Sequence, residues 1–362
     1  MARALAAVAS LLAVFLLAAS SSPAVAAAAA AKQQHDIPAV FAFGDSTLDP
    51  GNNNGQLATM VRADHAPYGC DFPGGRATGR FSDGKIITDY IVESLGIKDL
   101  LPPFHGSGGL GVGELSTGVS FASGGSGIDD RTSEIALVSP FGAQINDFRV
   151  LLLEMHDQLG ALRANEIANK SLYVISSGTN DVTVNYFILP TRTVNYPTFD
   201  QYSDYLIGQL QEYLQTLYNL GARKFMVAGL PPVGCLPVSK TIHLLSADCI
   251  ADQNDAAERY NAALQKMLAK LEAESPGAML AYVDVYNPLM DMVMQPQKYG
   301  FTSTSQGCCG NGLPSMGILC TSLLPQCRSP SQYMFFDSVH PTQAVYKALA
   351  DQIVKSHIPK FK

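Results

Sequence analysis

The feature that most constrains this chain is the regular return of short apolar runs separated by long amphipathic stretches. The runs are AVFAFG (Ala39 to Gly44), GVSFAS (Gly118 to Ser123), SLYVISSG (Ser171 to Gly178), KFMVAGL (Lys224 to Leu230) and LAYVDVY (Leu280 to Tyr286). Strands alternating with helices read as a parallel sheet with helices on both faces, an α/β fold. Between the third and fourth runs, Leu206, Leu210, Leu214, Leu217 and Leu220 recur every three or four residues, and Gly221 follows as a helix stop. A second stripe, Ala257, Tyr260, Leu264, Met267, Leu268 and Leu271, closes at Pro276-Gly277. The segment HPTQAVYKALADQIV predicts a third helix with Pro341 just inside its start, where a missing N–H costs nothing.

The two ends of the 362-residue chain differ in kind. Arg3 is followed by ALAAVASLLAVFLLA and then by small residues, with Ala24-Val25-Ala26 as an A-x-A cleavage site. Residues 1–26 therefore read as a cleaved secretory signal peptide, in preference to an uncleaved anchor, because the strongly apolar part is short. Residues 27–362 are expected to form a single domain, with no stable membrane span once the leader is removed and a secreted destination, the extracellular space or cell wall, or else a secretory lumen. The net charge of −7 comes without a basic cluster, which argues against nucleic acid as a partner.

Seven cysteines in an exported chain read mostly as disulfides, with one left over. Cys308, Cys309, Cys320 and Cys327 crowd together, Cys235 and Cys249 flank one loop, and Cys70 stands apart. A zinc site in the C-terminal four is disfavoured, because C-C-x10-C-x6-C lacks paired C-x2-C spacing. Asn169-Lys170-Ser171 is a glycosylation sequon. Two regions fall outside the alternation: residues 50–115, rich in Gly, Pro and Asp and containing GRATGRFSDG, and residues 302–332, with the clustered cysteines. Both read as long insertions at the top of the sheet.

In a doubly wound sheet, ligands bind beyond the carboxyl ends of the strands. There the chain carries GDSTLD, SGGSG, GTND and PPVGC, each after a different strand. Ser46 follows Gly44-Asp45 immediately past the first strand, where a glycine permits the sharp turn that a serine nucleophile needs. Taken alone, such a serine is more often a turn or cap residue. Of the seven histidines, the one we single out is His340, which lies in FFDSVHPT three residues after Asp337 and at the mouth of a helix. That spacing lets the Asp337 carboxylate orient the imidazole within one turn while the other ring nitrogen faces a serine. Asn180 and either Gly124 or Gly125 offer N–H donors for an oxyanion. The nucleophile elbow G-x-S-x-G is absent from the chain, which disfavours an α/β-hydrolase.

These blocks in this order, GDS at Ser46, FASGGSG, GTND at Asn180 and D-x-x-H at His340, resemble the SGNH hydrolases. FGDSTLDPGNNN, GRATGRFSDG, LPPVGCLP and CCG make the likeness closest to the plant GDSL esterase/lipases, from about Ile37 to Ile353. The resemblance implies a three-layer α/β/α, flavodoxin-like sandwich with a five-stranded parallel sheet, and hydrolysis of carboxylic esters without a metal or cofactor. It implies Ser46 as nucleophile and first oxyanion donor, Gly124 as second, Asn180 as third, His340 as base and Asp337 as its partner. Thr47 stands where the family motif has Leu. The substrate would be a small-molecule lipid ester or an acetylated cell-wall polysaccharide. An acyltransferase using the same acyl-enzyme, and a non-catalytic carbohydrate-binding wall protein, are the alternatives.

Overall fold

The computed structural model describes residues 37–361, except 107–108, 244–245 and 311–314. The expected leader, residues 1–26, lies outside the described residues. Five parallel strands form the central sheet: β1 Val40–Gly44, β2 Gly118–Ser120, β3 Leu172–Ser176, β4 Lys224–Ala228 and β5 Met279–Val283. Their order, β2-β1-β3-β4-β5, is the doubly wound arrangement whose direction of winding reverses between β1 and β3. The expected fold class, an α/β three-layer sandwich on a five-stranded parallel sheet, is the one observed.

The residue alternation along each strand explains the layering. Phe41, Phe43, Tyr173, Ile175, Phe225 and Val227 point into one core with the apolar faces of helices α2 (Phe141–Leu159), α3 (Ala161–Lys170), α4 (Phe199–Asn219) and α5 (Ala251–Glu274). Their neighbours Val40, Ala42, Leu172, Val174, Met226 and Val283 enter a second core with α1 (Ile87–Ser94) and α6 (Gln343–His357). Both faces are covered by helices, so each strand reads as a nearly unbroken apolar run. No helix among the described residues is long and apolar enough to cross a membrane.

Several boundaries depart from the sequence reading, with β4 and β5 ending at Ala228 and Val283 rather than Leu230 and Tyr286, and two further ones bear on the site. β2 ends at Ser120 rather than Ser123, although Phe121 and Ser123 still donate to the Ala42 and Gly44 carbonyls of β1 (2.8 and 3.0 Å), and on its outer edge the Asn52 amide donates to the carbonyls of Ser120 (2.8 Å) and Ala122 (2.7 Å). The C-terminal helix starts at Gln343, so Pro341 lies outside it. Its first free N–H, that of Gln343, donates to the Asp83 carboxylate at 2.8 Å, a cap supplied from 260 residues away.

The insertion near 302–332 opens with a strand, β6 (Ser303–Gly307), that pairs in parallel with β7 (Tyr333–Phe335). Disulfides Cys308–Cys327 and Cys309–Cys320 close the segment between them, and Cys235–Cys249 closes the loop after β4. Cys70 is free and exposed.

Candidate active site

β1 ends on Gly44, at φ +141°, where a Cβ would sit 1.8 Å from the Ser176 carbonyl oxygen of β3. Only glycine lets the chain stay against β3 and swing out of the sheet at once. Asp45 N–H then donates to that same carbonyl (3.1 Å), and the Asp45 carboxylate accepts from the Thr47 N–H (2.9 Å) and hydroxyl (2.8 Å). Ser46 is held at the apex of this turn, 5% exposed. Among the described residues its own N–H meets no acceptor.

The loop after β7 delivers the imidazole. Asp337 Oδ1 accepts the N–H groups of Val339 (2.8 Å) and His340 (2.7 Å), which winds FDSVH into a single turn. Asp337 Oδ2 then meets His340 Nδ1 at 2.7 Å, and His340 Nε2 meets Ser46 Oγ at 2.7 Å. Residues 294 positions apart in the chain thus share one hydrogen bond. All three side chains are buried, with Asp337 fully enclosed.

The glycine block behaves differently from the expectation for Gly124. Its N–H donates to Asp49 Oδ2 at 2.8 Å and its carbonyl accepts from the Asn53 amide at 2.8 Å, so the group expected to face an oxyanion is already bonded. Gly125, at φ +85°, is the one that lines the cavity with Ser46. Among the described residues its N–H is unclaimed. Asn180 stands at the end of β3, at the start of a short π-helix (Asp181–Ile188), with one amide hydrogen donated to the Ser126 carbonyl (2.9 Å). It lines the same cavity. Asn169 is exposed near the end of α3, away from these residues.

Three supports were not visible in the sequence. Tyr68, 1% exposed, donates its hydroxyl to Asp337 Oδ2 at 2.6 Å, the oxygen that also receives His340. Phe81 packs on the imidazole with ring centroids 4.7 Å apart. Asp49 ties the turn after Ser46 to the glycine block, accepting from Gly51, Asn52 and Gly124. The signal was present in part: Phe81 lies within GRATGRFSDG, whose spacing had no assigned chemistry. Burial pushes the carboxyls of Asp49 and Asp181 up to about 6 and raises that of Asp45. Each is held by hydrogen bonds from the loops that carry the candidate groups.

Two cavities meet at Ser46. Both have Ser46, Thr179, Asn180, Val339 and His340 in their walls, and otherwise mostly apolar side chains.

Comparison with known proteins identifies the family. The family model described as GDSL-like Lipase/Acylhydrolase covers residues 40–353. The GDSL esterase/lipase At2g31550 of Arabidopsis thaliana is 42% identical over 319 residues, 88% of each chain. The GDSL esterase/lipase At2g31540 of the same plant is 41% identical over 317 residues, 87% of this chain and 88% of its own. With the sheet order, the four strand-end blocks and these relatives in agreement, the chain belongs to the GDSL-like lipase/acylhydrolase family and is a carboxylic ester hydrolase of the SGNH type.

Proposed function

We propose that the protein hydrolyses apolar carboxylic esters through Ser46, His340 and Asp337. The observation that carries this reading is the unbroken line from Ser46 Oγ to His340 Nε2 and from His340 Nδ1 to Asp337 Oδ2, each contact 2.7 Å. As Ser46 Oγ attacks the ester carbon, its proton passes to His340 Nε2, and Asp337 stabilises the resulting imidazolium. The negative charge gathers on the former carbonyl oxygen. The free N–H groups of Ser46 and Gly125 and the second amide hydrogen of Asn180 receive it, Gly125 taking the role the sequence had given to Gly124. His340 returns its proton to the leaving alkoxide, an alcohol departs, and Ser46 is left acylated. Water, deprotonated by His340, then attacks the acyl-enzyme and releases the acid with Ser46 restored.

Apolar cavity walls favour a lipid-like ester over an acetylated polysaccharide, since a sugar ring needs hydrogen-bond partners to replace its hydration. The leader and three disulfides support export, and the exposed Asn169 is our candidate for glycosylation. Ser46→Ala removes the nucleophile while leaving the turn intact. We expect secretion and thermal stability to be retained and hydrolysis of p-nitrophenyl acetate to fall by about 10⁴-fold or more. An unchanged rate rejects Ser46.

A further inference from the structure

The two cavities are unequal, and beyond the residues they share at Ser46 their walls differ. The outer one, about 420 Å³, opens among the insertions between Val61, Ile135, Leu189 and Met316. The inner one, about 100 Å³, is a crevice between the sheet and helices α1 and α6, walled by Ile91, Met226, Val283 and Leu349. We propose that the substrate is apolar on both sides of its scissile bond, with a short aliphatic arm in the inner crevice and a longer one in the outer cavity. This rests on Ser46 being the nucleophile.

The geometry of an ester requires two exits. Once Ser46 binds the carbonyl carbon and its oxygen faces the N–H donors, the acyl chain and the alkoxy group diverge. A site for acetylated sugar would give one of them a polar wall. Here the polar groups beside the inner crevice satisfy one another: Thr47 donates to Asp45, and its hydroxyl lies 2.9 Å from that of Ser176. Among the described residues, the buried hydroxyls without a partner on these walls are Tyr346 within and Thr183 outside, too few to replace the hydration of a sugar ring. A cavity of about 150 Å³ takes benzene, so the inner crevice takes an arm of about four carbons. The outer cavity is within the range that encloses a drug-sized ligand.

Two series of esters, used below their micellar concentrations, test this: p-nitrophenyl esters of lengthening acids, and acetates of lengthening alcohols. Each buried methylene should raise kcat/KM by about 4-fold until its chamber is full. One series should peak near four carbons and the other continue to rise, which also assigns the acyl side. Ala228→Phe, filling the inner crevice, should shorten the first optimum only, and Ala136→Phe, on the outer wall, the second only. Rates are normalised to the amount of folded protein, measured by its unfolding transition, so that poor secretion of either variant does not enter the comparison. A series that gains nothing from length, or acetyl-xylan cleaved faster than any simple ester, overturns the proposal. No hydrolysis of any ester would instead overturn the assignment of Ser46.

A second observation carries an independent inference: we infer that Tyr68 is a positioning residue for Asp337. Its hydroxyl and His340 Nδ1 share one carboxylate oxygen, at 2.6 and 2.7 Å, and Tyr68 packs edge-on against Phe81 and beside Phe336. The ring thereby fixes the rotation of Asp337, and through it the imidazole. Tyr68→Phe keeps the packing and removes only the hydroxyl. We expect kcat to fall about 10-fold with KM unchanged and fluorophosphonate labelling slowed by the same factor, beside a modest fall in the unfolding midpoint from the lost buried hydrogen bond. A fall in stability without a change in kcat, or equal changes in KM and kcat, overturns the role.

Discussion

The two insertions that surround His340 are held in place by opposite chemistry. Residues 302–332 contain no carboxylate and are closed by two disulfides, Cys308–Cys327 and Cys309–Cys320. Their grip on the site is backbone pairing: Cys308 and Cys309 donate to the carbonyls of Phe335 and Phe336, and Ser315 and Ser338 exchange hydrogen bonds at 2.7 Å. Residues 50–115 contain only the free Cys70 and are held by buried polar groups. Arg80 forks onto Asp89 at 2.7 and 2.8 Å and also reaches the Leu101 carbonyl, while Ser82 and Asp83 grip the chain just past His340. A loop with no charge to bury is fixed by shortening its unfolded excursions. A loop that buries ions is fixed by satisfying each of them.

The contrast breaks most sharply at Arg80. Arg80→Met leaves the fully buried Asp89 carboxylate without its partner, and we expect a loss of about 3–5 kcal/mol in urea unfolding. Replacing Cys309 and Cys320 together by Ser should cost about 2–4 kcal/mol by the same measurement. Reductant, which opens all three disulfides, should lower the stability of the parent protein by at least as much and leave the Arg80 network unaffected.

The smallest effect separates the insertions by pH. Burial first, offset in part by hydrogen bonds, pushes the Asp83 carboxyl up to about 6, and that of Asp49 likewise. Between the unfolded value of 3.8 and about 6 the unfolded chain has released these protons and the folded chain has not. Stability from these groups is therefore complete below the unfolded value and is lost as pH rises through about 6. Lowering the pH from about 7 to 5 should stabilise the protein by on the order of 1 kcal/mol per carboxylate. Asp83→Asn should remove its share of the slope, whereas the cysteine variant should keep the slope whole.

The same division marks what could be read from the sequence. The sheet was legible because strands buried on both faces must be apolar throughout, and Ser46, Asn180, Asp337 and His340 were legible because each follows an element end in a short, unusual motif. Tyr68 was not, because its partner lies 269 residues away and nothing local distinguishes it from a packed aromatic. Gly124 and Gly125 were inseparable by pattern, since their difference is which N–H Asp49 has taken. Pro341 misled because a proline beside a helix fits either its first turn or the residues before it, and the true cap, Asp83, comes from the other insertion.

The nucleophile is tested most directly by treating the purified protein with a fluorophosphonate and locating the adduct by mass spectrometry. One phosphonylated residue is expected, Ser46, with labelling lost in His340→Ala and slowed in Asp337→Asn. An adduct on another serine, or labelling of Ser46 at the same rate without His340, would contradict this assignment.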